Sequence, residues 1–408
     1  MKCRHCGTAL SLIFIDLGSA PPTNAYLTRR DLQRSEKWYP LRILVCAECW
    51  LVQTEDYAGT EEIFTDDYAY FSSYSRTWLE HCEKYVDKMT ERFHLGPQSF
   101  VVELAANDGY LLQYVAARKI PCLGIEPTAS TAASARAKGI EIVEKFFGVS
   151  LARELASASG QADLMTANNV LAHVPDINDF VAGVAILLKP GGVATFEFPH
   201  FLNLVAQNQF DTIYHEHYSY LSLLSVRRIL ESNGLAVFDV EELPTHGGSL
   251  RIYVQRLGGP HSIHEAVESL LKRELSAGLA STSYYAGFQA RANKVKNDFL
   301  SFLLMAKREG QSVAAYGAAA KGNTLLNYAG VRPDLLPYVV DKSPSKQDKF
   351  LPGSHIPIVS EERIRREHPD YIVILPWNIR DEVMADLGYI RDWGGRFVTA
   401  VPDLRFEY

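Results

Sequence analysis

Two groups of residues in this chain have types and spacings suited to chemistry. The first is four cysteines, Cys3-x2-Cys6 in "CRHCG" and Cys46-x2-Cys49 in "VCAECWLVQ". Each pair is spaced to grip one metal ion from a tight knuckle turn, and four thiolates close a tetrahedron around Zn2+. A closed four-sulfur site keeps no position open for a substrate, so its role is expected to be structural. The second group is "DTIYHEHYSYL", residues 211–221, with two histidines, a glutamate and three tyrosines. A zinc-protease helix is excluded, because H-E-x-x-H needs a histidine three positions after Glu216 and Ser219 stands there. What remains is an acid–base cluster, or packed aromatics around satisfied histidines.

Both groups need elements to position them. The chain has 408 residues, 47% of them hydrophobic, which is enough for two or three packed domains. A net charge of −7 argues against a nucleic-acid partner, since phosphate neutralisation needs a basic face. No apolar run reaches the roughly 18 residues of a membrane helix, and the N-terminus has no apolar signal core. A cytoplasmic monomer is therefore expected, with no membrane partner. Six cysteines in a chain of this kind do not make a disulfide framework.

Residues 75–95 carry apolar or aromatic residues at Trp78, Tyr85, Met89 and Phe93, the spacing of an amphipathic helix. "FVVELAANDGYLLQYVAARKIPCLGIEP" then reads as strand, small-residue turn, helix and strand, and "DLMTANNVLAHV" and "GGVATFEFPH" add two buried strands. The helix between those two is expected to end at Gly191-Gly192. The alternation predicts an α/β fold with a doubly wound, mostly parallel sheet. After residue 240 the pattern restarts: an alternating strand, a long helical stretch over 262–308, then "QSVAAYGAAAKGNTLLNYAG", "LPYVVDKSPSKQ" and "DYIVILPWN" as a second half-sheet. The expected division is 1–65 as a zinc-binding domain, 66–240 as the first sheet and 241–408 as a Rossmann-like domain.

Ligands of open parallel sheets sit beyond the carboxyl ends of the strands. The first strand ends in "ELAANDG", with Glu103, Ala105, Asn107 and Gly109, and lacks the G-x-G-x-x-G of a dinucleotide site. Glu126 ends the second strand about 20 residues on, where it can accept ribose hydroxyl protons. Asn168 and Asn169 end the third. Carboxylates at two strand ends with no phosphate cradle fit a nucleoside without a phosphate, as in S-adenosylmethionine.

Here the chain resembles class I S-adenosylmethionine methyltransferases. The resemblance implies that Glu103 and the loop Ala105 to Gly109 hold the methionine part, Glu126 the ribose, and Phe146 with Phe147 the adenine, with Asn168 nearby. The cysteine pairs, "YAYFSSYS", "ELAANDG", "NNVLAHVPD", "YHEHYSYLS", "THGGSLRIYV" and "YGAAAKGNTLLN", in this order, resemble the sugar C-methyltransferases that act on nucleotide-linked 4-keto-6-deoxyhexoses. That likeness spans nearly the whole chain. It implies a structural zinc, S-adenosylmethionine as cofactor, a dTDP- or GDP-linked sugar as substrate, and methylation at C3.

Carbon methylation needs a base to remove the C–H beside the ketone, worth about 10² to 10⁴ in rate, and a histidine has a pKa near the working range. The enolate oxygen then needs a hydrogen-bond donor or a positive charge. The resemblance assigns the base to His217, its orientation to Tyr214 and Glu216, and the ketone oxygen to His173. Extended backbone would put Tyr214 and Glu216 on one face and His215 and His217 on the other. Tyr218 and Tyr220 are expected to pack, and His215 to be satisfied. Tyr68 or Tyr74 is expected to close over the site. In "GAAAKGN", backbone amides, Lys321 and Asn323 can address a diphosphate, and Asp341, Ser343 and Lys346 of "VVDKSPSKQ" the rest of a nucleotide. The competing expectations are an NAD-dependent sugar-nucleotide epimerase or dehydrogenase, and a non-catalytic zinc scaffold that only binds S-adenosylmethionine.

Overall fold

The N-terminal strands β1 (Leu12–Ala20), β2 (Tyr39–Val45) and β3 (Val52–Thr54) pair in antiparallel succession. A register shift in β1 lets the neighbours Phe14 and Ile15 both turn inward, where strict alternation would bury only one. The computed structural model describes residues 1–55, 57 and 71–407. Tyr68 lies outside the described residues.

The middle of the chain supplies β4 (Val101–Leu104), β5 (Cys122–Ile125), β6 (Ile142–Val143), β7 (Ala162–Asn168) and β8 (Leu188–Pro199). Next comes a two-residue strand, β9 (Ser219–Tyr220), which pairs back onto β3, so the end of the histidine motif completes the sheet that carries the cysteines. β10 (Leu235–Leu243) and β11 (Ser249–Arg256) return to the middle sheet, whose order is β10-β11-β8-β7-β4-β5-β6. β11 is the strand that runs against its neighbours. β11 fills the gap between β8 and β10, so this sheet extends past the expected boundary at residue 240 to Arg256.

The third sheet is built from β12 (Val313–Tyr316), β13 (Val339–Val340), β14 (Ile358–Val359), β15 (Tyr371–Ile374), β16 (Arg396–Thr399) and β17 (Arg405–Glu407), in the order β14-β13-β12-β15-β16-β17. All but the edge strand β17 are parallel. In both parallel sheets the strand order reverses beside the first strand, between β4 and β7 and between β12 and β15, which is where such sheets form a ligand crevice.

Local chemistry explains two departures from expectation. The long helical stretch is three helices, Glu265–Ala277, Thr282–Tyr285 and Phe288–Arg308, broken where Gly278 and Gly287 adopt φ of 102° and 84°. The helix Ile177–Leu187 stops before Gly191-Gly192, because Lys189 precedes Pro190 and is biased toward extended backbone. Gly192 instead lies in β8, where a Cβ would stand 2.8 Å from the Ala162 carbonyl oxygen.

One apolar cluster runs from Phe14 and Leu41 through Phe196 and Phe198 to Val373 and Val398. The three parts therefore share a core instead of hanging on linkers. The opposite face of the middle sheet is covered by the helix Arg76–Arg92, which buries Cys82, Tyr85, Val86 and Met89 on one stripe. No helix among the described residues is long and apolar enough to cross a membrane.

Candidate active site

The carboxyl edge of the middle sheet is built around a strained turn. β4 ends with Glu103 and Leu104, and within five positions Ala105, Asn107 and Gly109 all take positive φ, of 55°, 48° and 75°. Gly109 is required there, since a Cβ would meet Ile140 Cδ1 at 2.5 Å. The Asn107 amide donates to Glu126 Oε2 at 2.9 Å, and Glu126 Oε1 accepts from the Thr128 amide at 3.0 Å. Glu126 thus braces the turn, with lone pairs to spare for a ribose.

Glu103 is fully buried, and neither carboxylate oxygen has a hydrogen-bond partner of good geometry. Burial holds its pKa well above the usual carboxylate range, although the Tyr110 hydroxyl and Leu112 amide lie close enough to favour the ion. The Asn168 amide nitrogen, at the end of β7, is also buried and unpartnered. Orphaned polar atoms at a switch point call for a ligand, and a carboxylate with an amide donor matches the amino and carboxyl groups of the methionine part of S-adenosylmethionine. Phe147 is half-buried and packs in a T-shaped contact with Phe180, with ring centroids 5.4 Å apart. Phe146 stands exposed beside it.

The motif "DTIYHEHYSYL" is not extended before β9. A short 3-10 turn, Phe210–Thr212, leads into a bend in which the His217 amide bonds to the Tyr214 carbonyl at 3.0 Å. The expected face division collapses, and the Tyr214 and His217 rings lie 4.0 Å apart. His173, from the short turn Leu171–His173 after β7, stands edge-on to His217 at 4.7 Å. His215 points away, and its Nε2 meets the Tyr39 and Pro40 carbonyls at 3.3 and 3.2 Å, while its buried Nδ1 has no partner. Tyr218 and Tyr220 are buried.

His217 Nδ1 donates to the Thr212 carbonyl at 2.9 Å, which leaves the lone pair of the neutral ring on Nε2. Burial, and then the neighbouring His173, hold the His217 pKa well below the usual histidine value. His173 is pushed down to about 4 by burial. The backbone is held as firmly: Thr54 Oγ1 donates to the His217 carbonyl at 2.5 Å, from the cysteine-bearing sheet. Glu216 is buried, and its Oε1 accepts from Asn24 Nδ2 at 2.6 Å.

Around this cluster stand residues to which the sequence reading gave no role. Asp211 is buried, with its pKa raised by burial to about 6, and accepts from Trp377 Nε1 at 2.7 Å. Trp377 follows β15 and packs on Gly247, where a Cβ would clash at 2.4 Å. His246, in the same "THGG" turn, accepts from Asn169 Nδ2 at 3.2 Å and is pushed down to about 4 by burial. The only advance signal for His246, Asp211 and Trp377 was their place in stretches quoted for other reasons, "THGGSLRIYV", "DTIYHEHYSYL" and "DYIVILPWN".

Lys321 sits at the second switch point, its Nζ over the Trp377 ring at 4.7 Å and bonded to Asn378 Oδ1 at 2.8 Å. Burial lowers its pKa to about 8, opposed by Asp211. It therefore belongs to the histidine cluster's surroundings. The expected substrate contact of Asn323 is corrected: it is sealed from solvent, and its amide donates to the Thr23 carbonyl at 3.4 Å. Asp341 accepts from the Ala318 and Ser343 amides, both at 2.8 Å, and Lys346 donates to the Ala318 carbonyl at 3.0 Å, so these two shape the loop after β12. The Ser343 hydroxyl pairs with that of Ser345 at 2.8 Å. Tyr74 is 68% exposed and does not reach the histidines.

The cysteines converge as their spacing predicts. Their four sulfurs all lie within 4.8 Å of one another, with Cys3 to Cys49 at 3.5 Å and Cys6 to Cys46 at 3.4 Å. Sulfurs around a tetrahedral zinc with Zn–S of about 2.3 Å stand about 3.8 Å apart, so the cradle fits. Gly7 and Trp50 close the two knuckles with positive φ, each amide bonding at 3.0 Å to the carbonyl of the first cysteine of its pair.

A seven-stranded sheet with one reversed strand, an orphaned carboxylate at its switch point and a four-cysteine cradle define a class I methyltransferase with an N-terminal zinc domain. Three sequence families match in register: a zinc binding domain over residues 3–64, a methyltransferase domain over 77–240, and a C-methyltransferase C-terminal domain over 244–402. The C-methyltransferase NovU of Streptomyces niveus is 33% identical over 404 residues, covering 99% of this chain and 96% of its own. The chain belongs to the S-adenosylmethionine-dependent C-methyltransferases, and its cofactors are S-adenosylmethionine and a structural zinc ion.

Membership sets aside the dehydrogenase and the non-catalytic scaffold. Among solved structures, the magnesium protoporphyrin IX methyltransferase of Synechocystis PCC 6803 with bound SAH is 15% identical, covering 44% of this chain and 83% of its own, at a TM-score of 0.35. An S-adenosylmethionine-dependent methyltransferase of Clostridium acetobutylicum is 12% identical, covering 45% and 92%, at 0.36. These two likenesses reach less than half of the chain and add nothing about its substrate.

Proposed function

We propose that the protein methylates C3 of a nucleotide-linked 4-keto-6-deoxy sugar, with His217 as the base. The observation that carries this reading is the bond from His217 Nδ1 to the Thr212 carbonyl, which leaves Nε2 of this half-buried ring as an acceptor beside the rings of Tyr214 and His173. A histidine whose pKa is held low stays neutral at working pH and is ready to take a proton. His173 and the Lys321 ammonium are candidates to face the ketone oxygen, where negative charge develops on enolisation. S-adenosylmethionine, when bound, supplies an electrophilic methyl group. The loop after β12 takes the nucleotide end of the substrate.

Incubation of a panel of dTDP- and GDP-linked 4-keto-6-deoxyhexoses in D2O tests the reading. With a suitable sugar, His217→Asn should lose both methyl transfer and solvent exchange at the carbon beside the ketone, by about 10² or more. Exchange that persists in His217→Asn would move the base elsewhere, and product NMR would identify the methylated carbon.

A further inference from the structure

The segment "PPTNAYL", residues 21–27, belongs to the zinc domain, yet it lies between the histidine motif and the third sheet. Asn24 Nδ2 donates to Glu216 Oε1 at 2.6 Å, with the Thr23 hydroxyl at 3.5 Å from the same oxygen. Two residues on, the Tyr26 hydroxyl donates to the Ala318 carbonyl at 2.6 Å and stands 3.3 Å from Asn24 Oδ1. Lys346 donates to that same carbonyl and lies over the Tyr26 ring at 5.5 Å. Asp341 accepts from the Ala318 amide and is 3.6 Å from Lys346. Leu27 then pairs with Phe350 by two backbone bonds, at 2.9 and 2.8 Å, which anchors the segment to the stretch leading into β14.

These contacts join Glu216, through Asn24 and Tyr26, to the loop after β12. A buried carboxylate is stable as an ion only with charge-assisted donors, and an amide N–H selects the ion because it has no acceptor to offer a carboxylic acid proton. We propose that Asn24 is a positioning residue for methyl transfer: it holds Glu216 aimed beside His217, and Tyr26 ties that aim to the loop of the third sheet. The zinc domain thereby contributes to the reaction site as well as to the fold. This inference rests on the reading of His217 as the base.

Among the described residues, the titratable and charged groups facing this point include Glu216, Tyr26, Asp341 and Lys346, with His173 and His217 on the motif side. Two variants test the role, each checked for zinc content and S-adenosylmethionine affinity. Asn24→Ala should lower kcat and sugar C–H exchange together by roughly tenfold or more, with S-adenosylmethionine affinity within about threefold of the parent. Asn24→Asp sets two carboxyls against each other, and they can bond only when sharing one proton. Its activity relative to the parent should therefore rise as pH falls from about 8 to about 6, a range in which His217 remains neutral.

A flat ratio across that range would overturn the proposal even if Asn24→Ala failed to fold. So would full exchange and kcat in a folded Asn24→Ala. If His217→Asn keeps exchange, the underlying reading falls; if His217→Asn loses it while Asn24→Ala keeps it, only the positioning role falls.

Discussion

The carboxyl edges of the two parallel sheets are alike in topology and opposite in electrostatics. At the β4–β7 switch point the polar atoms are buried and unmatched: both oxygens of Glu103 and the amide nitrogen of Asn168. At the β12–β15 switch point they are matched from within: Asp341 by two amides, Lys346 by a carbonyl, Lys321 by Asn378, and Asn323 by the Thr23 carbonyl. An unmatched buried polar group costs stability until a ligand satisfies it, whereas a matched one holds a surface in shape. The first edge is therefore built to be completed by a cofactor. The second is a preformed wall that also locks the zinc domain against the histidine motif.

The comparison breaks first at Glu103. Glu103→Gln should weaken S-adenosylmethionine binding by roughly ten- to a hundredfold in a calorimetric titration, the usual worth of one charged hydrogen bond. The unliganded protein should at the same time hold or gain stability, because a buried, raised-pKa carboxylate is replaced by a neutral amide. Unchanged affinity would mean that the orphaned atoms are not the cofactor's seat.

At the seam between the edges, Asp211 sharpens the comparison through pH. Its folded pKa is raised from 3.8 to about 6, so between those values the folded state keeps a proton that the unfolded state has lost. Its contribution to stability is thus lost as pH rises through that window, by on the order of 3 kcal/mol in the limit. Asp211→Asn, which keeps an oxygen for Trp377, should gain stability relative to the parent between about pH 4 and pH 7 in denaturant titrations. A difference that does not change with pH would show that the folded carboxyl titrates normally.

The smallest effect is expected at Asp341. Asp341→Asn keeps an acceptor for one of its two amide partners and loses the other, a local effect on the loop that should change KM for the sugar nucleotide by no more than about threefold. A much larger rise in KM, with kcat unchanged, would make Asp341 a substrate ligand and erase the contrast between the edges.

Periodicity and spacing made much of this molecule legible. The cysteine pairs and the alternation of strands and helices follow from short motifs, because local spacing limits which side chains share a knuckle or a strand end; the meeting of His173 with Tyr214 and His217 does not, since spacing alone set Tyr214 and His217 on opposite faces and His173 lies in another turn. Less legible was anything decided by a partner distant in sequence. Asn323 looked like a phosphate ligand, yet it is buried with its amide on the Thr23 carbonyl. β11 looked like the start of a new domain, but only the gap between β8 and β10 could show where it pairs.

The amino-acid order by itself determined the chemistry on offer: four thiolates for zinc, a carboxylate-bearing loop for a nucleoside cofactor, and a histidine beside tyrosine and glutamate. Tertiary structure decided which of those groups is free to act. A hydrogen bond from Nδ1 to Thr212 gives His217 its tautomer, and Thr54 and Asn24, some 160 to 190 positions away, grip the motif from the zinc domain. A titratable side chain's role depends on its burial and its partners, and those are properties of the packed chain that no local stretch of sequence contains.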